Sequence, residues 1–294
     1  MKSFKYTVAL TILLLVTFIC NSVNAQWNLL GDPIQGEYES IVPGLFGTNN
    51  DLSADGRTVV IAEPQGRKLP AFIYPGAIHM MTLDNNNEWI NKGTPLYGTS
   101  NQEYFGSAIS LSGDGNKLAV TIGRDDSVMD TVNVYQWQNM SWVQIGSSIV
   151  GSQINSLFGK SIDLNFSGDK LIIGSPFMEL EGDPYVSEGQ VIIYNFDGTD
   201  WVIENVLNGI QNNGDSRFGD QVQFSGNGNK LIISSPGVRN VPLNQSAAGL
   251  TTIYDFDGSD WLQIGDSIWG ETGGNYSGES IEINYVGDLV AIGS

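Results

Sequence analysis

Few residues in this chain have the chemistry of a catalyst. His79, within GAIHMMTL, is the lone histidine, and Cys20 is the lone cysteine. A Ser-His-Asp triad would have to use His79, yet no Gly-x-Ser-x-Gly turn accompanies it. A single imidazole does not make a zinc centre. Carboxylates are abundant, 32 Asp and Glu against 13 Lys and Arg. Two of them held about 5–10 Å apart are what glycoside hydrolysis needs.

The varied charged and aromatic residues concentrate in four stretches. These are EPQGRKLPAFIYPG with Arg67, Lys68, Phe72 and Tyr74; RDDSVMD with Asp125, Asp126 and Asp130; PFMELEGDPYVSEG with Glu179, Glu181, Asp183, Tyr185 and Glu188; and PGVRNVPLNQSAAG with Arg239. Mixed aromatic, basic and acidic side chains on loops suit recognition of a protein or a glycan. We take Arg67, Lys68, Phe72, Tyr74, Asp125, Asp126, Glu179, Glu181, Asp183, Tyr185 and Arg239 as the candidate partner-binding set. No catalytic residue is assigned.

What must position these loops is a repeat. Phe-Gly pairs fall at Phe46, Phe105, Phe158 and Phe218, with Ser277-Gly278 as a worn copy, at intervals of 59, 53, 60 and 59 residues. Trp27, Trp89, Trp142, Trp201 and Trp261 run in step with them. Two markers in phase along the chain indicate tandem units. The third unit is the plainest: SIDLNF alternates, SGD turns, KLIIGS returns, a longer loop follows, and QVIIYNF-DGTD-WVIENVL closes as a second hairpin. Gly-Asp and Asp-Gly pairs between alternating apolar runs are hairpin signals. Ile162, Leu164 and Phe166 read as one face of the first strand. His79 occupies a strand position that other units fill with asparagine, isoleucine or threonine.

Antiparallel four-stranded units of this length predict an all-β chain, the blades of a β-propeller, with about four full repeats and partial ends. The units are 46–104, 105–157, 158–217 and 218–276, after a lead-in over 26–45 and before a partial unit over 277–294. The fixed place of the tryptophans and Phe-Gly phenylalanines predicts packing wedges between blades rather than sugar platforms. Chain direction puts the four variable loops on one face, together with the connections between units. VAIGS at the end aligns with a second strand, so a truncated gene product is the expectation there.

The opening 25 residues read as a secretory signal peptide: two lysines, an uncharged apolar run, then Val23 and Ala25 at the cleavage site. The chain is expected to be secreted or at the cell surface, without membrane insertion after cleavage. Its net charge of −19 disfavours nucleic acid as a partner.

The pattern FGxSIxLSxDGxxLxIGxP…GxVxxYxxxxxxW resembles the FG-GAP repeats of integrin α-subunit propellers. It is closer still to repeats in exported Bacteroidetes proteins, where a lead-in like WVQIGSSIVGS or WLQIGDSIWGE precedes the Phe-Gly. The resemblance implies a binding or adhesion module. It also implies a calcium loop in the first hairpin of some blades. Asp163, Asn165 and Ser167 match that loop in part, but its closing carboxylate is missing, and Ser110 and Ser112 replace ligands in the second unit. No cofactor is therefore expected. The alternatives are a propeller hydrolase acting on glycans through Asp/Glu pairs, and a spacer within a larger surface protein.

Overall fold

The computed structural model describes residues 30–36, 45–66, 74–101, 103–123, 129–180, 187–210 and 216–294. Among them there is no helix. The first sheet holds β1 (Asn49–Leu52), β2 (Thr58–Glu63), β3 (Ala77–Leu83), β4 (Trp89–Asn91) and β5 (Leu96–Tyr97). The second holds β6 (Phe105–Leu111), β7 (Lys117–Ile122), β8 (Thr131–Gln138), β9 (Ser141–Gln144) and β10 (Ile149–Val150). The third holds β11 (Ile162–Leu164), β12 (Lys170–Ser175), β13 (Gln190–Phe196) and β14 (Trp201–Asn208). The fourth holds β15 (Val222–Phe224), β16 (Lys230–Ser235), β17 (Leu250–Phe256), β18 (Trp261–Gln263) and β19 (Ile268–Trp269). A hairpin of β20 (Ser280–Ile283) and β21 (Val290–Gly293) follows. Every ladder is antiparallel, and each sheet is a meander in chain order. First strands of consecutive sheets touch, β1 to β6 to β11 to β15 to β20, so the sheets fan like propeller blades about a hub.

The short extra strands β5, β10 and β19 have a local cause. They pair with the same third strand as the fourth strand before them. Four residues after the leading tryptophan stand Gly93, Gly146 and Gly265, all at positive φ, which interrupts the strand. The third blade has Asn205 at that place. There β14 runs unbroken and the irregularity moves to a bulge at Ile193/Tyr194.

The core lies in the seams between blades. Val60, Ala62, Ile78 and Met80 of blade 1 pack on Phe105, Leu118, Val120 and Trp142 of blade 2. Val132, Val134 and Ile149 of blade 2 meet Phe158, Leu171, Ile173 and Trp201 of blade 3. Ile172, Val191 and Ile193 of blade 3 meet Phe218, Leu231, Ile233 and Trp261 of blade 4. Period-2 alternation explains this division: within β12, Leu171 and Ile173 face back while Ile172 faces forward. Each blade can bury both faces only between neighbours. The expected phenylalanine wedges are in place, with Phe105, Phe158 and Phe218 all buried. Phe166 departs from its expected alignment with Ile162 and Leu164. The strand ends at Leu164, the Asn165 turn begins, and Phe166 is 41% exposed.

The tryptophans of blades 2, 3 and 4 wedge between blades, and two of them also staple blades together. Trp142 Nε1 donates to the Lys92 carbonyl at 3.0 Å, and Trp261 Nε1 donates to Glu204 Oε2 at 3.2 Å. Glu204 also pairs with Lys170, whose ammonium lies 4.6 Å from the Phe256 ring centroid. Trp201 Nε1 is buried without an acceptor among the described residues. Trp142→Phe should therefore cost about 1 kcal/mol more than Trp201→Phe, because only the former breaks a hydrogen bond. Thermal denaturation of the two variants in parallel checks this.

Candidate binding face and axial hub

The connections between blades and the loops from second to third strands meet on one face, as chain direction requires. Glu179 N donates to Gln153 Oε1 at 2.9 Å, and Gln153 Nε2 returns a bond to Glu179 Oε2 at 3.3 Å. Tyr74 N donates to Asn101 Oδ1 at 2.9 Å, and Gln245 Nε2 to the Glu271 carbonyl at 3.2 Å. Two families of loops are thus tied into one surface. Tyr74 is 37% exposed on it, and Glu179 and Arg239 are half-buried, the latter bonded to Asn244. Arg67, Lys68, Phe72, Asp125, Asp126, Glu181, Asp183 and Tyr185 lie outside the described residues, as do the signal peptide and Trp27. Glu188 does not join this surface. It is 2% exposed and accepts from Leu180 N at 3.1 Å.

At the centre of this face a polar cavity of about 330 Å³ opens between the starts of four first strands, lined by Asn50, Ser107, Lys160 and Gln221 among others. Lys160 Nζ is held there by Asp220 Oδ1 at 2.5 Å.

One level deeper along the first strands, a single polar position recurs in every blade: Asp51, Ser110, Asp163, Gln223 and Glu282. Each of the first four accepts a hydrogen bond from a backbone N–H of the next blade. Leu111 N donates to Asp51 Oδ2 at 2.6 Å, and Leu164 N to Ser110 Oγ at 2.9 Å. Phe224 N donates to Asp163 Oδ2 at 2.7 Å, and Ile283 N to Gln223 Oε1 at 2.8 Å. The ring is also joined sideways, by Ser110 Oγ donating to Asp163 Oδ1 at 3.0 Å and Gln223 Nε2 to Glu282 Oε1 at 3.0 Å. Unpaired first-strand N–H groups at the hub are satisfied by the neighbouring blade's side chain, which also fixes the stagger between blades. Burial drives the Asp163 carboxyl up to about 8 against the pull of the Phe224 N–H, and the charges of Asp51 and Glu282 add to the rise. Asp51 is raised as well, chiefly by burial.

This geometry separates the residues that resembled a calcium loop. Asp163 belongs to the hub ring. Asn165 and Ser167 close their own turn, both donating to Asp169 Oδ1, at 2.7 Å each. Asn165 Oδ1 accepts from Asp169 N and Lys170 N at 3.0 Å. Asp163 and Asn165 thus serve different partners. Among the described residues no cluster of three or more His, Cys, Asp or Glu side chains is arranged to hold a metal. His79 is buried, edge-on to Phe46 at 5.5 Å, with Nε2 3.7 Å from Glu63 Oε2.

The hub ring escaped the sequence reading, although its residues recur in phase with the Phe-Gly pairs. The usable signal was a polar residue between two apolar ones in four of the five first strands, ISL, IDL, VQF and IEI, with NDL at the same place in the first.

No family model matches this sequence, nor does any curated protein sequence. Solved structures do resemble the fold. The periplasmic gluconolactonase PpgL of Pseudomonas aeruginosa is 13% identical, with a TM-score of 0.51 over 83% of this chain and 64% of that one. Hydrazine synthase of Kuenenia stuttgartiensis is 14% identical, with a TM-score of 0.49 over 83% and 70%. TolB of Acinetobacter baumannii is 12% identical, with a TM-score of 0.41 over 73% and 42%. The chain spans less than two thirds of the gluconolactonase's length. At this identity the likeness concerns architecture alone, and the architecture is that of a β-propeller.

Proposed function

We propose that this chain is an exported, non-catalytic propeller that binds an extracellular protein or glycan through its loop face, akin in role to the FG-GAP repeat modules it resembles. The observation that carries the reading is the fusion of two loop families into one surface around a polar axial cavity. The hub supports it: Asp51 Oδ2, both oxygens of Asp163 and Glu282 Oε1 each accept a hydrogen bond from a neighbouring blade, so these oxygens are engaged in holding blades together. The secreted or surface location follows from the leader sequence. Kinship with exported Bacteroidetes repeats rests on the Phe-Gly and tryptophan pattern.

A second reading has one observation in its favour. Asp163 is pushed up to about 8 beside Asp51 and Glu282, and such unequal carboxyl groups are what a general acid and base require. That would make the hub the centre of a hydrolase. One experiment separates the two. The full-length product is applied to protein and glycan arrays, with and without a chelator, and is assayed on polysaccharides and a sugar lactone. Binding that weakens about tenfold or more in Tyr74→Ala or Arg239→Ala, without turnover, supports the module. Turnover that disappears in Asp163→Asn overturns it.

A further inference from the structure

The repeat sets a standard for what each seam contains, and the seam between blades 1 and 2 departs from it twice at one spot. Two residues before the Phe-Gly, blades 3 and 4 have Ser156 and Ser216, both buried, whereas blade 2 has Glu103, 3% exposed. On the third strand, blade 3 has Ile192 and blade 4 has Thr252, whereas blade 2 has Asn133, 8% exposed. Both departures line a single cavity of about 270 Å³, bounded also by Tyr97, Thr131, Tyr135 and Ser148. Its size is near the lower bound of small-molecule sites, roughly 300 Å³.

Asn133 is under-used there. Among the described residues Asn133 Nδ2 reaches only the Tyr135 hydroxyl, at a long 3.4 Å, and Asn133 Oδ1 accepts no hydrogen bond from them. A buried acceptor left unpaired is costly, and isoleucine, which blade 3 uses, would remove the cost. Glu103 is already fixed in place. Its carboxylate accepts from Ser100 N at 2.7 Å and from Thr99 N, so its charge is partly met by backbone dipoles. The cavity therefore offers acceptors to neutral donors rather than a bare charge to a cation. Hydroxyls at the rim and the tyrosine rings complete the environment of a polyol.

We propose that this seam is a binding site for a pyranose ring, with Asn133 Oδ1 and the Glu103 carboxylate accepting from its hydroxyls. The proposal deepens the binding reading above and rests on it by naming a ligand class and a place. The sugar is either a free monosaccharide or the terminal unit of a glycan.

The test is ligand-observed NMR of the full chain with methyl glucoside, mannoside and galactoside, beside a glycan array carrying the same terminal sugars. Millimolar binding of at least one glycoside is expected, with Asn133→Ile and Glu103→Ser each weakening it about tenfold or more. Both variants place at the seam what other blades already carry, and unchanged circular dichroism shows that they fold. Binding of the free glycoside identifies a monosaccharide site; array binding alone, lost in both variants, identifies a glycan terminus. Binding to neither, binding that survives both variants, or a preference for an organic ammonium such as cadaverine over every glycoside overturns the proposal. Array binding lost in Arg239→Ala but retained in Asn133→Ile would sink the seam site and leave the loop-face reading standing.

Discussion

Gly189→Ala should abolish folding or lower the melting temperature more than any other single methyl addition we consider. Gly189 immediately precedes β13, the third strand of blade 3, with φ at +82°, and its backbone forms a parallel bridge to Phe218 of the next blade. A Cβ there would fall 2.6 Å from the Phe218 nitrogen and closer still to its carbonyl oxygen. Neither is the end of a flexible side chain, so the blades themselves would have to separate. Gly198 provides the control. Its φ is +101°, but a Cβ would meet nothing within 4 Å. Gly198→Ala should cost only the conformational term, about 1–2 kcal/mol. Gly189→Ala adds overlap with a rigid backbone, and a total of about 4 kcal/mol or more is expected. Calorimetry or denaturant titration of the two variants measures the difference. Equal losses would mean that the blades do not approach as closely as the bridge requires.

The second large effect concerns pH. The Asp163 carboxyl titrates at about 8 in the folded protein against an ordinary value of 3.8. Between those values the folded chain holds a proton that the unfolded chain has released. The stabilising contribution of neutral Asp163 is therefore complete below about pH 4 and is lost as pH rises through 8. The slope in that window reaches about 1.4 kcal/mol per pH unit. Asparagine has the shape and hydrogen-bonding capacity of the neutral acid: its oxygen can accept from Phe224 N and its amide can donate to Ser110. Asp163→Asn should thus match the parent near pH 4 and melt about 5–10 °C higher at pH 8 and above. Asp163→Ala should instead lose about 1–3 kcal/mol at acid pH, because the Phe224 N–H is left without an acceptor. Melting temperatures of the three proteins from pH 4 to 9 decide the matter. A parent and Asp163→Asn that run parallel across the range would refute the buried hub carboxyl.

Sequence and structure agree where periodicity controls the outcome. Alternating runs such as KLIIGS and QVIIYNF became strands whose two faces enter two different seams. The Phe-Gly and tryptophan markers became the wedges of those seams, because a large ring at a fixed register position needs the same pocket in each blade. The hub was harder to read. Its strands are three or four residues long in blades 1, 3 and 4, too short for periodicity to tell the face toward the axis from the face toward a neighbouring blade. Asp163 and Asn165 stand two residues apart, which in sequence mimics a calcium loop. The strand ends between them, and each turns to its own partner. The seam cavity was half visible: the third-strand position of Asn133 was already marked by its variety, but its link to Glu103, thirty residues earlier, exists only once β8 folds against the connection from blade 1.

The hub ring, the seam cavity and the loop face all depend on consecutive sheets packing face to face. The most direct measurement is a NOESY spectrum of the methyl-labelled full chain. Strong cross-peaks are expected between the Val132 and Val134 methyls of blade 2 and those of Leu171 and Ile173 in blade 3, with the Ile172 methyls reporting instead to Leu231 and Ile233 of blade 4. Ile172 and Ile173 sharing the same neighbours, or Val132 and Leu171 contacting only their own sheets, would contradict the propeller arrangement.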